Sequence, residues 1–499
     1  MNGQFPHPAV FAGEPIRRDK RAGSLVRTGL VLTVLATVTA LALWAIPGEL
    51  LSWEAVGLVA LGSVLVVLFY FTLGISSGRA RDPKTVALVI VWFLISSEAF
   101  FMRSTEGDET LHGSFVFGAY AEASMWVLSF AALLIVTLRS PQYLNRMFRG
   151  PYKWLSLYGL LCLVSTIFSP QPLFSLAWAL KLLVAILLIE LYASQVCEVD
   201  DITRFLRTLF WAFAFISIAP LFTAVLDPVS MFEEGGRLGG YVSWDLATTE
   251  SGLLVLLAIT LFNSSRSSAQ RKLLWVFGGL GAVLMVLYGG KTGNIAGLLG
   301  VFLFCVLQKK VGTGLGLVAG IVAIGALILL LTPLGAYLHE YQASGLGSTL
   351  TGRTPVWEST VAAIWKRPVF GYGFMATKFM STSMELEWAA EKAHNVFLEV
   401  LYNNGLVGLA FFVAMNAAIL KNLSRVIRRS RATASFRSMA AGCLAIQASV
   451  LLNGIAASLF GGRVSGPSIM LMALVGVSDW LVRANDREVK LGPASVVES

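Results

Sequence analysis

The chain has little charge. Asp, Glu, Lys and Arg make up 13% of its 499 residues, against about 25% in soluble domains. A soluble globular fold is therefore excluded as the main body. Cysteine is scarce too, with four residues, Cys162, Cys197, Cys305 and Cys443, all within or beside apolar stretches. They offer no disulfide framework and no zinc-ligand spacing, so neither a metal nor a cofactor is expected. No internal repeat is visible in loop lengths or helix breaks, which counts against carriers built from repeated halves. The N-terminus shows no cleavable leader with a small-residue cut site; residues 1–27 read as a polar tail and the first apolar run as an uncleaved anchor.

What is present is apolar sequence. Hydrophobic residues make up 56% of the chain, in repeated runs of about 20, the length of a membrane-crossing helix. The fold expected is all-α, a polytopic transmembrane bundle of about 12–14 spans. The candidate spans are Leu30–Ile46, Val56–Ile75, Val86–Phe101, Phe115–Leu138, Leu155–Phe168, Leu176–Leu191 and Phe205–Leu226. Leu246–Phe262, Leu273–Tyr288, Ile295–Leu307, Leu315–Leu331, Val396–Leu420, Met439–Ala457 and Ser468–Val482 complete the set. By this division the chain reads as tail 1–27, bundle 28–332, one large outer loop 333–393, bundle 394–483 and tail 484–499.

Charge placement gives an expected orientation. Arg17, Arg18, Lys20 and Arg21, then Arg79, Arg81 and Lys84, then Arg139, Arg146, Arg149 and Lys153 fall in one set of alternate loops, as do Arg271, Lys272, Lys309, Lys310, Lys421, Arg425, Arg428 and Arg429. Such loops are cytoplasmic by the positive-inside rule, which places both termini inside. The net charge of +9 is then a topology signal. Nucleic-acid binding is not expected, because there is no soluble basic domain to hold a duplex. The opposite loops are acidic, and their few cations, among them Arg237, Lys291, Arg353, Lys366, Arg367 and Lys378, stand out.

The outer loop before Ala393 is about 60 residues long, far beyond an ordinary helix connection. Thr354 is an expected N-cap with Pro355 at the first helical position. Trp357, Val361, Ile364 and Trp365 follow at helical spacing, as in a helix lying on the membrane surface, where Trp357 and Trp365 serve as interface anchors. Lys366-Arg367-Pro368 ends it, and Gly371-Tyr372-Gly373 makes a turn. A second outer loop sets Arg237 among four glycines, and a third, Gly289-Gly290-Lys291-Thr292-Gly293, places a lysine at the start of the next span, where a phosphate would meet both an ammonium and a helix dipole. At the far end of the long loop, His394 precedes an apolar helix.

These residues resemble the bacterial O-antigen ligase and O-antigen polymerase superfamily, which includes exopolysaccharide polymerases. Its ligases share His, then Asn, Ser or Gln, nine residues, Gly, two residues, and Gly, Thr or Tyr. Here His394-Asn395, nine residues, Gly405, Leu406-Val407 and Gly408 fit throughout. The family's Gly-Arg pair before a Trp-containing helix, and its Pro-x-x-Gly-x-Gly turn, are matched by Gly352-Arg353 with Trp357, and by Pro368 through Gly373. The resemblance covers about 235–408. One departure is Gly290-Lys291-Thr292, where many relatives carry Ser-Arg-Thr; lysine keeps the charge and loses the bidentate fork.

The resemblance implies a GT-C-like, metal-independent glycosyltransferase in the bacterial inner membrane. The donor would be a saccharide on undecaprenyl diphosphate. The acceptor would be a lipid-linked glycan in a polymerase, or lipid A core in a ligase. A chain-length regulator or a flippase would be its candidate partner in the membrane. Loss of a diphosphate builds negative charge that cations must meet; Arg353 is the first choice, Arg237 the second, and Lys291 adds a point charge. His394 suits either general base for the acceptor hydroxyl or hydrogen-bond donor to phosphate. Asn395, Glu399 and Trp357 are candidate supports.

Plainer roles stand beside these. Arg353 taken alone suits holding its loop through a carboxylate such as Glu358, Lys291 suits snorkelling, and Asn395 suits capping the helix. Lys181, Glu190 and Glu122 lie inside spans, where ionisable groups are functional by default, though a buried structural pair explains them as well. Two other classes compete with an enzyme. A lipid-linked oligosaccharide transporter predicts polar residues lining a central cavity, and a non-catalytic scaffold predicts that Arg353 and His394 are dispensable.

Overall fold

A computed structural model describes Val91, Phe130, Leu133, Leu134 and residues 145–196, 199–226, 232–233, 237–238, 244–265, 267–331, 353–380, 393–429, 434–460 and 464–491. The first four candidate spans, Glu122, the N-terminal tail and residues 492–499 lie almost wholly outside these residues. Each of the other ten candidate spans is a helix.

The long helices are α1 Tyr152–Ser165, α2 Pro172–Gln195, α3 Val199–Leu226, α4 Trp244–Phe262, α5 Ser268–Leu287, α6 Lys291–Leu307 and α7 Val311–Leu331, then α9 Val396–Arg428, α10 Ala434–Gly454 and α11 Gly466–Leu491. A further helix, α8 Arg353–Lys366, lies between α7 and α9. Residues Phe232–Glu233 (β1) and Arg237–Leu238 (β2) form one antiparallel rung that pairs Glu233 with Arg237. The chain is thus an all-α polytopic bundle. Among the described residues, α2, α4, α5, α9, α10 and α11 are the six helices long and apolar enough to cross a membrane, and α1, α6 and the stretch Val311–Leu327 of α7 are shorter apolar helices.

Helix α4 is central and packs against α3, α5, α6 and α10. Its contacts run through small residues: a Cβ on Gly278 of α5 would lie 2.9 Å from Ala258 Cβ, and one on Gly300 of α6 would lie 2.9 Å from Leu256. Such close approach is how helices associate when the surrounding solvent is itself apolar. Trp275, Val276, Ile295, Leu299 and Leu315 on α5, α6 and α7 point outward and are exposed, a surface suited to lipid chains.

Helix ends sort into two groups. Trp480 of α11 donates to Val196 O, after α2, Arg207 of α3 donates to Gln270 of α5, and Arg429 of α9 pairs with Asp486 of α11. Those contacts gather the cation-rich ends, with Arg146, Arg149, Lys153, Arg271 and Lys272. The opposite end gathers the start of α4, the α5–α6 turn, α8, the start of α9 and the end of α10. The alternation of charge along the sequence is therefore matched by geometry.

The main surprise is in α9, which the apolar pattern presents as one uninterrupted span. Gly405 sits inside it at φ 64°, ψ −163°, a conformation essentially confined to glycine. In a straight helix Leu406 N–H and Val407 N–H would donate to Tyr402 O and Asn403 O. Instead they donate to Pro368 O (2.8 Å) and Val369 O (3.2 Å), while Tyr372 N–H and Gly373 N–H fill the vacated Tyr402 O (2.8 Å) and Asn403 O (2.9 Å). The Pro368–Gly373 turn and the break in α9 exchange partners, so no backbone group is orphaned, as an apolar setting requires.

Candidate functional site

Helix α8 begins at Arg353, two residues before Pro355. Thr354 is thus inside the helix, and its expected N-cap role is corrected. Pro355 tolerates this because the first four N–H groups of a helix have no intrahelical acceptor, so its missing donor removes no bond. Trp365 is 77% exposed, as an interface anchor should be. Trp357 is not: it is half-buried, and its Nε1–H donates to Ala393 O at 2.7 Å. That bond ties the backbone beside His394 to α8 one turn, about 6 Å of rise, from Arg353.

Arg353 has side-chain exposure of 13%, and its Nη2 donates to Asp245 Oδ2 at 3.2 Å. The partner lies in the first turn of α4, 108 residues away, and the local carboxylate expected from sequence, Glu358, is exposed and does not fill that role. Asp245 is the partner of Arg353 that reading the sequence missed. The signal was there, an acid at the boundary of a span in the same outer loop as Arg237, but nothing local pointed from it to Arg353.

His394 has φ 48°, a left-handed conformation that is uncommon for a residue with a side chain. It precedes Asn395, the N-cap of α9, whose side chain accepts from Phe397 N (3.0 Å) and Leu398 N (3.2 Å). The capping role expected for Asn395 is what the geometry gives it. Glu399, in the first turn of α9, is buried and accepts a hydrogen bond from Ser458 Oγ. Lys291 is the first residue of α6 after Gly290 and is exposed. Its turn is held to α4 where Gly290 N–H donates to Thr248 Oγ1 at 3.1 Å. Arg237 lies in β2; its side chain is outside what is described.

The helix start, the surface helix and the lysine turn are therefore brought to one end of the bundle. Asp245 and Thr248, three residues apart on one face of α4, hold Arg353 and the Lys291 turn respectively. Within the bundle, Lys181 stacks on Trp178, with Nζ 4.8 Å from the ring centroid. Nine residues separate Lys181 from Glu190 on α2, about 13 Å, so they are not a pair.

The glycines of the Pro-x-x-Gly-x-Gly turn serve the backbone exchange. A Cβ on Gly371 would lie 2.5 Å from Tyr402 O, and one on Gly373 2.5 Å from Ser169 N. Around them is a buried polar set that the sequence did not announce. Asn403 accepts from Thr377 N (2.9 Å), Asn404 Nδ2 donates to Ser165 Oγ (2.9 Å), and that oxygen also accepts from Phe374 N (3.1 Å). The free cysteines Cys162, Cys305 and Cys443 are buried. Among the described residues no group of three or more His, Cys, Asp or Glu is arranged to hold a metal.

Residues 277–413 match the family model described as O-antigen ligase. The matched stretch contains Lys291, Arg353, Trp357, His394, Asn395 and Glu399; Asp245 lies before it. No curated protein matches the chain.

Proposed function

From a chain that belongs to the O-antigen ligase and polymerase superfamily, we propose a glycosyltransferase of the inner membrane that moves a saccharide from an undecaprenyl-diphosphate carrier to an acceptor glycan hydroxyl. The site faces the periplasm and the cation-rich ends face the cytoplasm, in keeping with the positive-inside rule. The observation that carries the reading is Arg353: a guanidinium with 13% exposure, at the rim of an apolar bundle, beside the segment that bears His394.

The acceptor oxygen attacks the anomeric carbon and the C–O bond to the diphosphate breaks. The bonding pair leaves with the lipid diphosphate, whose growing charge Arg353 meets with paired N–H donors. Arg237 and Lys291 add to the field there. His394, held next to α8 by the Trp357 bond, takes the acceptor hydroxyl proton. Displacement in a single step inverts the anomeric configuration. No metal takes part, since side-chain cations meet the leaving group.

Polymerisation of repeat units is the reading preferred, because nothing in the chain identifies a lipid A core acceptor. The description of the matched family favours a second, ligation of finished polymer. Reconstitution with a defined lipid-diphosphate saccharide, with product length and linkage measured, tests both. Turnover by wild type and its loss in Arg353→Ala and His394→Ala is the expected result; wild-type rates in those variants refute it. A deletion strain separates the two readings, with single repeat units for a lost polymerase and long chains stranded on carrier for a lost ligase.

A further inference from the structure

We infer that Asp245 is a positioning residue: it fixes the guanidinium of Arg353 so that the remaining donors face the diphosphate of the donor substrate. The inference rests on the reading above, in which Arg353 meets that diphosphate, and it assigns a role to a residue outside the matched family stretch.

The geometry of the pair is one-sided. Arginine has five N–H donors in a rigid fork. Among the described residues Arg353 makes one side-chain hydrogen bond, from Nη2 to Asp245 Oδ2 at 3.2 Å. A bidentate grip by the carboxylate would have used up one full edge of the fork. The single bond anchors one corner of the guanidinium while leaving donors for the paired recognition that phosphate oxygens favour. The pair is only partly exposed, 13% for Arg353 and 20% for Asp245, so water screens it little and the bond holds the side chain firmly.

The base that carries Asp245 is itself braced. Thr249 Oγ1 donates to Asp245 O at 2.8 Å, and Asn453 at the end of α10 donates to Thr249 Oγ1. One position along, Thr248 accepts Gly290 N–H. The first turn of α4 is therefore tied to α10 and to the α5–α6 turn before it reaches out to α8. Arg353 stands at the first position of α8, where a long, flexible side chain would otherwise sample many rotamers. A catalytic cation must be held to within a fraction of an ångström, and rigid helices do that better than loops.

The test uses the full chain in vesicles, with two readouts. The first is the rate at which phenylglyoxal modifies Arg353, followed by peptide mass mapping. The second is kcat and donor KM with a lipid-diphosphate saccharide. Asp245→Ala should label Arg353 severalfold faster than wild type and lower kcat about 10–100-fold, the cost of a misplaced transition-state cation, with a smaller change in KM. Asp245→Asn keeps an oxygen acceptor and should recover most of both. A merely structural role would lower the yield of folded protein and leave kcat per folded molecule unchanged. Equal labelling in wild type and Asp245→Ala, with normal wild-type turnover, refutes the positioning role alone. Wild-type kcat in Asp245→Ala refutes it as well, and so does an Asp245→Asn variant that folds but is as slow as Asp245→Ala. Absence of turnover in wild type, with the labelling difference intact, refutes the proposed reaction, and the positioning role in it falls at the same time.

Discussion

Replacing Gly405 by alanine isolates the backbone exchange at the break in α9. The residue sits at φ 64°, ψ −163°, where a non-glycine residue costs about 1–3 kcal/mol in strain. The added methyl would lie 2.6 Å from Phe370 N and closer still to the Val369 carbonyl, so the Pro368–Gly373 turn must withdraw. Withdrawal breaks the bonds from Leu406 N to Pro368 O and from Val407 N to Val369 O, each with a net contribution of about 0.5–1.5 kcal/mol. The loss expected is about 2–6 kcal/mol, a large share of the ~5–15 kcal/mol that holds a domain together. The assay is thermal unfolding of purified protein in a mild detergent, read by the fraction that stays monodisperse after heating. Gly405→Ala should unfold well below wild type, and glycosyl transfer should fall with it because the turn is continuous with α8. A melting temperature within a degree of wild type would show that α9 straightens without penalty and would refute the reasoning.

Three further outcomes are expected. Asn395→Ala removes the acceptor for two N-terminal N–H groups of α9 and should cost about 1 kcal/mol, with Asn395→Asp close to wild type in the same melt. Ser165→Ala leaves the Asn404 amide and Phe374 N–H short of a partner and should cost about 1–3 kcal/mol; an unchanged melt would mean that the buried set is dispensable. Trp357→Phe keeps the ring and loses the bond to Ala393 O, so kcat should fall in the vesicle assay while the melt shifts by no more than about 0.5–1.5 kcal/mol.

Much of the bundle was legible because length and apolarity are local properties. The last ten candidate spans are helices where composition puts them, and α8 was visible from Trp357, Val361 and Ile364 on one face. Asn395 was readable as a cap because an N-cap needs only its own side chain and the next three residues. The break at Gly405 was not, since one glycine in an apolar helical pattern is ordinarily tolerated, and the turn that completes it is some thirty residues upstream. Arg353 shows the same limit. Its position and charge suggested a role, while its partner, 108 residues away, belongs to a contact that no local pattern encodes.

The exchange between α9 and the Pro368–Gly373 turn has a consequence for how the chain is made. Gly373 precedes Asn403 by thirty residues, about 1.5–6 s of translation at ~5–20 residues per second. The acceptor carbonyls and donor amides of the turn are therefore already synthesised when the broken helix that they complete leaves the ribosome. Had the order been reversed, a half-finished helix would wait in lipid with four open backbone groups. Placing the clasp upstream of the rod lets the membrane receive a segment whose missing partners are already in place.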